Sequence, residues 1–468
     1  MFEIVSKTNN LYDVLDTDDG VIESCSFLDI ISFCESGITI KGVSLINDSY
    51  VFEIDNLHYH KVMKGYKFRL YPNKEQEQLI LKHIGSCRFI YNYGLNKKVT
   101  AYQIDKTAIS RFQIQADLPI LKKQEDTTWL KEVNSLSLQA ALACLDNAFT
   151  RFFKEKKGFP KFKSKKDGYQ SFLIPQNTKV DFDNNHVFIP KFKGGIKCKL
   201  HRKFEGNIKT STISKTPTGK YYISILVETN EIISKKKPCC ENQAVGIDLG
   251  IKTFATISDG STIENPRNLK KSLKKLKKLQ REVSRKNKGS NNRVKSVKRL
   301  ALLHEKVSNR RNDFLHKVSY ELVNKYNTIC LETLSSKNMM HNHHLAQALS
   351  DIAIGNFNLM MDYKGDWYGT NIIRIGRFEP SSKMCTCGFI HKELKLSDRM
   401  WTCPQCGSVN DRDLLAANNI KRFAFCKNNT AGTAGIHACV DMNHIVDSDQ
   451  EAPSFMGGVV HTFANYIF

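Results

Sequence analysis

Two short apolar runs, far apart in the chain, each stop at a carboxylate. "AVGID" ends at Asp248 and "TICLE" ends at Glu332. A short continuous apolar run bounded in this way reads as a buried strand. Asp is a poor strand former, and a carboxylate withdrawn from water needs a partner. Taken singly, Asp248 is either a turn residue before "LGIKTFATISDG" or one part of a metal site, and Glu332 reads as an ordinary surface residue after a strand. Two strands that each deliver a carboxylate at the end of a buried run point instead to an α/β unit whose strand ends share a site.

A third candidate lies in "CPQCGSVNDRDLLAANNIKRF", where Asp411 and Asp413 open a short helical stretch. Asp411 suits a helix N-cap. Asp413 falls in the first turn, from which a side chain reaches toward strand ends. Three acids in one place repel one another, which makes them poor structural choices and apt functional ones. Asp248, Glu332 and Asp413 together can bind two divalent cations about 3.5–4 Å apart and activate water for phosphodiester cleavage. Oxygen ligands suit Mg²⁺. Asp259, in the following "SDG", is expected only to form a turn.

"MCTCGFIHKELKLSDRMWTCPQCG" carries Cys385, Cys387, Cys403 and Cys406. Two cysteine pairs set apart by a short loop fit a zinc ribbon with a structural Zn²⁺. The second pair is C-x-x-C followed by glycine. The first is a tight C-x-C, with His391 as an alternative ligand.

The chain has 468 residues, enough for two to four domains, and 41% of them are hydrophobic. No apolar stretch is long enough to span a membrane, and the N-terminus has no secretory pattern. Fourteen cysteines without such a signal point to a reducing compartment and to metal ligation. The formal charge of +23 implies a polyanionic partner, most simply nucleic acid. The first 62 residues go the other way, with eleven acids against three bases. They read as an appended acidic segment in which "FLDIISF" and "GITIKGVSLINDSYVFEID" are strand-like.

Beyond it, "YKFRLYP" is a strand stopped by Pro72, and helical spacing holds from Lys74 to about Lys98 and over 135–154. "GFPKFKSKKDGYQSF" alternates bases with aromatics, placing Lys161, Lys163, Lys165 and Lys166 as phosphate contacts beside rings suited to stacking. Short strands follow to Glu228, which suggests a small β-barrel completed by the strand at 66–72, with the helices inserted. Two basic helices are expected on either side of Gly289. Leu269, Leu273, Leu276 and Val283 form the packing stripe of the first, and Val294, Val297, Ala301 and Val307 that of the second. Lys274, Lys278, Arg281, Arg310 and Arg311 then face nucleic acid.

These segments, in this order, resemble the TnpB family. The resemblance rests on "YKFRLYPNKEQ", "CRFIYNYGL", "LDNAFTRFFKEKKGFPKFKSKK", "GIDLGIKTFATISDG", "NDFLHKVSYELV", "ICLETLSSKNM", "FEPSSKMCTCG", "LSDRMWTCPQCG", "DRDLLAANNI" and "TAGTAGIHAC". The family comprises RNA-guided DNA endonucleases of insertion sequences, long described as OrfB-type transposases and related to type V CRISPR effectors and Fanzor proteins. The resemblance implies an RNase H-like (RuvC) nuclease with an inserted zinc ribbon, and an N-terminal wedge-type β-barrel with an inserted helical recognition lobe. It implies that Asp248, Glu332 and Asp413 are the catalytic, Mg²⁺-binding carboxylates, and that the four cysteines hold zinc. It also implies a guide RNA and double-stranded target DNA bearing a short adjacent motif, met in a prokaryotic or phage-like cytoplasm and nucleoid. The expected divisions are the acidic extension at 1–62, the barrel at 63–74 and 168–238, and the helical lobe at 75–167. The nuclease follows at 239–384 with its basic hairpin at 267–311, then the ribbon at 385–406, the third nuclease motif at 407–426 and a tail at 427–468. The C-x-C knuckle departs from the family's usual C-x-x-C, and residues 1–62 lie outside the resemblance.

Overall fold

A computed structural model describes residues 2–426 except 9–10, 17–21, 37–39, 42, 47–48, 53–56, 167–169, 234–235, 335–338 and 396–397. The tail at 427–468, with its "TAGTAGIHAC", lies outside the described residues. The described residues divide into two compact units, one of residues 61–231 and the other of residues up to 60 together with 232–426. Among the described residues no helix is long and apolar enough to cross a membrane.

The unit at 61–231 is built on one sheet. Its strands run in the order Gln170–Ile174, Asn207–Lys215, Tyr221–Ile233, Leu57–Tyr71, Ile196–Lys199, His186–Phe188, Lys179–Asp181. Strict alternation makes the two faces: Ile196 and Cys198 point in, Lys197 and Lys199 out. The first of these strands in the chain ends at Tyr71, where Pro72 withdraws a ladder donor. Helix Lys74–Asp105 follows, opened by a reciprocal capping box between Asn73 and Gln76. Short helical pieces lead to helix Ser135–Lys154, and the chain then returns to the sheet. Ile80, Ile84, Ile90, Leu138 and Leu142 of the two long helices share one core with Phe68, Leu70, Ile213 and Ile223 of the strands. The helices are thus an insertion within the sheet.

In the other unit, "FLDIISFCE" is a helix, Phe27–Glu35, rather than the expected strand. Its apolar residues recur at Phe27, Ile30, Ile31 and Cys34, a helical period that buries Ile30 and Ile31 together. "GITIKGVSLINDSYVFEID" does form strands, at Ile40–Lys41, Val43–Ile46 and Ser49–Phe52.

The centre of this unit is a five-stranded sheet ordered Thr262–Glu264, Thr253–Ile257, Ala244–Leu249, Thr328–Glu332, Asn371–Ile375. The first three are antiparallel and the last three parallel. The central strands read as unbroken apolar runs because both faces are covered. On one face helices Asn291–Lys325 and Ile354–Trp367 bring Leu315, Val318, Leu322, Phe357 and Met361 onto Val245, Ile247, Phe254 and Ile329. On the other, helix Arg412–Cys426 packs Ile420 and Ala424 on Cys330 and Ile375.

The contact between that last helix and the sheet depends on Gly246. A Cβ at this position would stand 1.9 Å from Ala417 O and 2.7 Å from Lys421 N, both main-chain atoms of the helix. No side-chain adjustment relieves such a clash. The helix therefore lies directly on the strand that carries Asp248.

The basic hairpin forms as Asn268–Ser284 and Asn291–Lys325. Leu276, Val283 and Val307 are buried as expected, but Val294 and Val297 are 62% and 43% exposed. The packed face of the long helix passes through Ser296, whose Oγ donates to Glu282 at 3.1 Å. That hydrogen bond and the Arg293 contacts with Val283 O and Lys286 O turn the helix away from the purely apolar stripe.

Replacing Gly246 with Ala is expected to destabilise this unit by about 1–3 kcal/mol or more. The urea midpoint of the purified chain measures it. Because the clash is with main chain, an added Ala417→Gly change should restore nothing.

Candidate functional site

The Asp248 and Glu332 strands are parallel neighbours. Their register pairs Ile247 with Leu331, so one further step sets Asp248 level with Glu332. Both carboxylates stand at the carboxyl ends of parallel strands, where α/β sheets place their ligands. Asp413 arrives from the helix laid on Gly246. Asp411 Oδ1 accepts the Asp413 and Leu414 N–H groups, each at 2.9 Å, and so caps that helix. Asp413, in the first turn, joins Asp248 and Glu332 in lining a cleft of about 960 Å³. Lys252, Arg267, Lys270, Arg377, Arg399 and Arg412 line the same cleft, as do two further acids, Asp351 and Glu379, so cations and carboxylates alternate along it.

Burial, then the charges of Glu332 and Asp413, push the Asp248 carboxyl up to about 7, against the opposing pull of Arg412 and Arg399. The other two acids have local partners. Ser381 Oγ donates to Glu332. Arg399 Nη1 donates to both oxygens of Asp413, at 2.7 and 2.9 Å. Ser381 is itself held, since buried Asn419 donates from Nδ2 to Ser381 O at 2.7 Å and Met384 O at 2.6 Å. Asp259 sits apart from the cleft. It accepts from Ser261 N at 2.9 Å and from Lys325 and Tyr326, and these donors hold its carboxyl well below the usual range although desolvation opposes them.

The four cysteines converge. Cys385 and Cys406 Sγ are 3.7 Å apart, as are Cys387 and Cys403, and all four lie within 4.8 Å of one another. A tetrahedral ion with metal–sulfur bonds of about 2.3 Å separates its sulfurs by about 3.8 Å. The short C-x-C knuckle therefore delivers both thiols. The His391 ring packs edge-on against Trp401 and Phe389 and is not in the group. Ser408 Oγ lies 3.2 Å from the sulfurs of Cys385 and Cys406, and Asn410 Nδ2 3.6 Å from that of Cys385, as polar neighbours of thiolates should. Among the described residues these thiols are the one His, Cys, Asp or Glu group so tightly gathered; the three carboxylates line their cleft more loosely.

The cysteine hairpin is continuous with the cleft. Its strands, Met400–Thr402 and Val409–Asp411, pair Met400 with Asp411. Arg399 thus precedes one strand and Asp413 follows the other, side by side at the hairpin's root.

The basic candidates occupy two places. Lys161, Lys163, Lys165 and Lys166 are exposed on one loop of the 61–231 unit. Asn92 pins this loop by two hydrogen bonds to the Lys163 main chain, at 2.8 and 2.9 Å. In the other unit Lys274, Lys278 and Arg281 are exposed on helix Asn268–Ser284, and Arg310 on the long helix, where Arg311 is half-buried. The first of these helices starts at the cleft: Asp351 accepts from Leu269 N at 2.9 Å and Lys270 N at 3.2 Å, a cap that Arg267 does not supply.

Three family descriptions match this chain: OrfB_IS605, "Probable transposase", over residues 224–343; a helix-turn-helix domain of the same group over 62–107; and a Cas12f1-like TNB domain over 355–420. A "Putative RNA-guided DNA endonuclease" of Streptomyces pristinaespiralis is 37% identical over 77% of this chain and 89% of its own length. "Putative RNA-guided DNA endonuclease InsQ" of Escherichia coli is 31% identical over 77% of this chain and 92% of its own. The "TnpB-like protein L79" of Acanthamoeba polyphaga mimivirus is 26% identical over 76% and 72%.

This chain belongs to the TnpB family.

A solved Cas12f1–sgRNA–target DNA complex aligns over 77% of this chain and 98% of its own at 15% identity, with a TM-score of 0.48, a likeness too distant to carry argument. Within the family matches, Asp248 and Glu332 fall in the first, and Asp413 and the four cysteines in the TNB match. Residues 1–61 fall in none of the three.

Sequence reasoning did not find Gly246, Asp351, Ser381, Arg399 or Asn419. Ser381, Arg399 and Asn419 sit within the family-like motifs, yet their partners are distant in sequence and no spacing reveals them. Gly246 had the clearest signal, as a glycine inside an apolar run.

Asp248 binds its proton more tightly folded, near 7, than unfolded, near 3.9. Its contribution to the metal-free protein therefore falls as pH rises across that interval. Asp248→Asn is expected to raise the metal-free Tm by several degrees at pH 8 and to change it little at pH 4. A divalent ion shared by the three carboxylates would raise the wild-type Tm, a gain this variant should lose. Thermal scans at the two pH values, with and without Mg²⁺, measure both effects.

Proposed function

We propose that this chain is an RNA-guided, Mg²⁺-dependent DNA endonuclease of a transposable element, with an RNase H-like, RuvC-type active site. The observation that carries the reading is the convergence of Asp248, Glu332 and Asp413, from two adjacent strands and one helix, on a cleft rimmed by cations. The order of antiparallel and parallel strands around them, and the sheet with its helical insertion in the other unit, are in keeping with the family's nuclease and wedge. The activity named for the relatives fits this chemistry.

The three carboxylates would hold two Mg²⁺ ions, whose oxygen preference they meet. Bound there, the ions would activate water and offset the charge that gathers on the scissile phosphate. The chain's own groups do the rest. Ser381 orients Glu332 through one carboxylate oxygen. Arg399 holds Asp413 in place through both carboxylate oxygens, and its planar donors are suited to a phosphate oxygen at the same rim. The four thiolates would hold a structural Zn²⁺, and that ion would keep Arg399 and Asp413 together through the hairpin. The basic helices and loops would grip guide RNA and double-stranded target through their backbones, a salt-sensitive and largely sequence-independent contribution. Base pairing with the guide would read the target, and the protein would read a short motif beside it. The cytoplasm and nucleoid follow from that substrate.

The test is plasmid cleavage by the purified ribonucleoprotein with Mg²⁺. Wild type should cut a matched target and leave an unmatched one intact. Asp248→Ala should cut neither, and Ser381→Ala should slow cutting by about 10–100-fold. Bound but uncut target in every Mg²⁺ or Mn²⁺ condition, or DNA ends joined by the chain itself, would overturn the reading in favour of a silent regulator or a transposase. Metal analysis should return one zinc per chain, lost in Cys403→Ser.

A further inference from the structure

Helix Ser135–Lys154 ends at a surface that the active site does not use. Glu155 N and Lys157 N both donate to Arg151 O, and Lys156 turns the chain back with a φ of 49°. The returning loop lays Phe159 edge-on against Phe149 and Phe152, with ring centroids 5.6 and 5.3 Å apart. Phe153 stacks at 6.3 Å on Phe149 and meets Phe152 at 5.0 Å. Four phenylalanines thus form one cluster, but it is not a core. Phe153 is 71% exposed, Phe159 48%, and Phe162, three residues further along the loop, 58%.

Apolar rings in water at the end of a helix call for an occupant. The surroundings define its charge. Lys154, Lys156, Lys157, Lys161, Lys163 and Lys165 are exposed on the helix end and the returning loop, and the acids beside them are already paired, Glu155 with Lys157 at 2.5 Å and Asp146 with Lys98 at 2.8 Å, Lys98 itself lying over the Phe149 ring. The arrangement is rigid where it matters, because Asn92 fixes the loop main chain and Lys163 Nζ rests 4.0 Å over the Tyr91 ring. Rings supported from behind and rimmed by cations meet the two needs of an unpaired strand: a flat partner for each base face and a counter-charge for each phosphate. A closed duplex offers phosphates but no free base face.

We propose that the Phe153–Phe159–Phe162 surface is a stacking platform for unpaired nucleotides, held while the paired strands occupy the rest of the protein. This deepens the nuclease reading and rests on it for the presence of unpaired strands. The same chemistry serves a DNA strand opened at the target and an unpaired stretch of guide.

The test uses the full chain carrying Asp248→Ala, so that binding is read without cleavage. Short unstructured oligodeoxythymidine, oligouridine and a blunt DNA duplex are titrated at fixed ionic strength. Phe153→Leu, which keeps apolar bulk and removes the ring, should weaken single-strand binding by at least about fivefold and leave the duplex unchanged. The salt slope should not move. Lys161→Gln should instead weaken all three probes and flatten the slope by about one unit. Loss on oligodeoxythymidine alone assigns the platform to opened DNA, loss on oligouridine alone assigns it to guide, and loss on both supports the shared chemistry. No loss on either single strand, or equal loss on the duplex, overturns the proposal. An unchanged Tm for Phe153→Leu guards against misfolding, and a double Phe153→Leu/Phe159→Leu variant repeats the test on the second ring. Guided cleavage by the parent chain is measured separately, so its absence would count against the nuclease reading alone.

Discussion

A main-chain contact governs the nuclease unit. Helix Arg412–Cys426 lies so near strand Ala244–Leu249 that the single position between them has no room for a Cβ. Two elements 160-odd residues apart in sequence are thereby locked face to face, and the first turn of the helix is carried over the end of the strand. A larger residue at 246 would lift the helix by the width of a methyl group and take Asp413 with it. The site's geometry is therefore set by backbone packing before any carboxylate enters.

The acids then bring a problem that the rest of the cleft manages. Among the described residues Asp248 has no positive partner in direct contact, and burial and its acidic neighbours raise its carboxyl to about 7. Glu332 leans on Ser381 and Asp413 on Arg399. Both supports arise from the segment that also carries the cysteines, Ser381 just before Cys385 and Arg399 just before the hairpin strand. Asn419, on the Asp413 helix, binds the carbonyls of Ser381 and Met384 and closes the circuit. The four-thiol knuckles and the carboxylate cleft are thus one mechanical assembly.

Much of this was legible in the residues. The strands ending at Asp248 and Glu332 stood out because burial on both faces leaves an unbroken apolar run, and the cysteine pairs because their chemistry allows few alternatives. Asp411 behaved as the N-cap its position suggested. Other readings failed for physical reasons. "FLDIISF" is a helix because so short a stretch, with five apolar residues in seven, fits either period, and the pattern beyond it decides. Val294 and Val297 are exposed because Ser296 and Arg293 find polar partners across the hairpin and set its rotation. The supports of the site were invisible for a different reason. A hydrogen bond from Arg399 to Asp413 leaves no periodic trace, and a required glycine resembles a dispensable one until its neighbour is known.

The central claim is that Asp248, Glu332 and Asp413 form a single shared metal site. Electron paramagnetic resonance of the Mn²⁺-loaded ribonucleoprotein on an uncleavable target tests it most directly. Paired ions held about 3.5–4 Å apart by common carboxylates should give an exchange-coupled spectrum, and Glu332→Gln should abolish the coupling. An isolated mononuclear signal, identical in wild type and Glu332→Gln, would contradict the account.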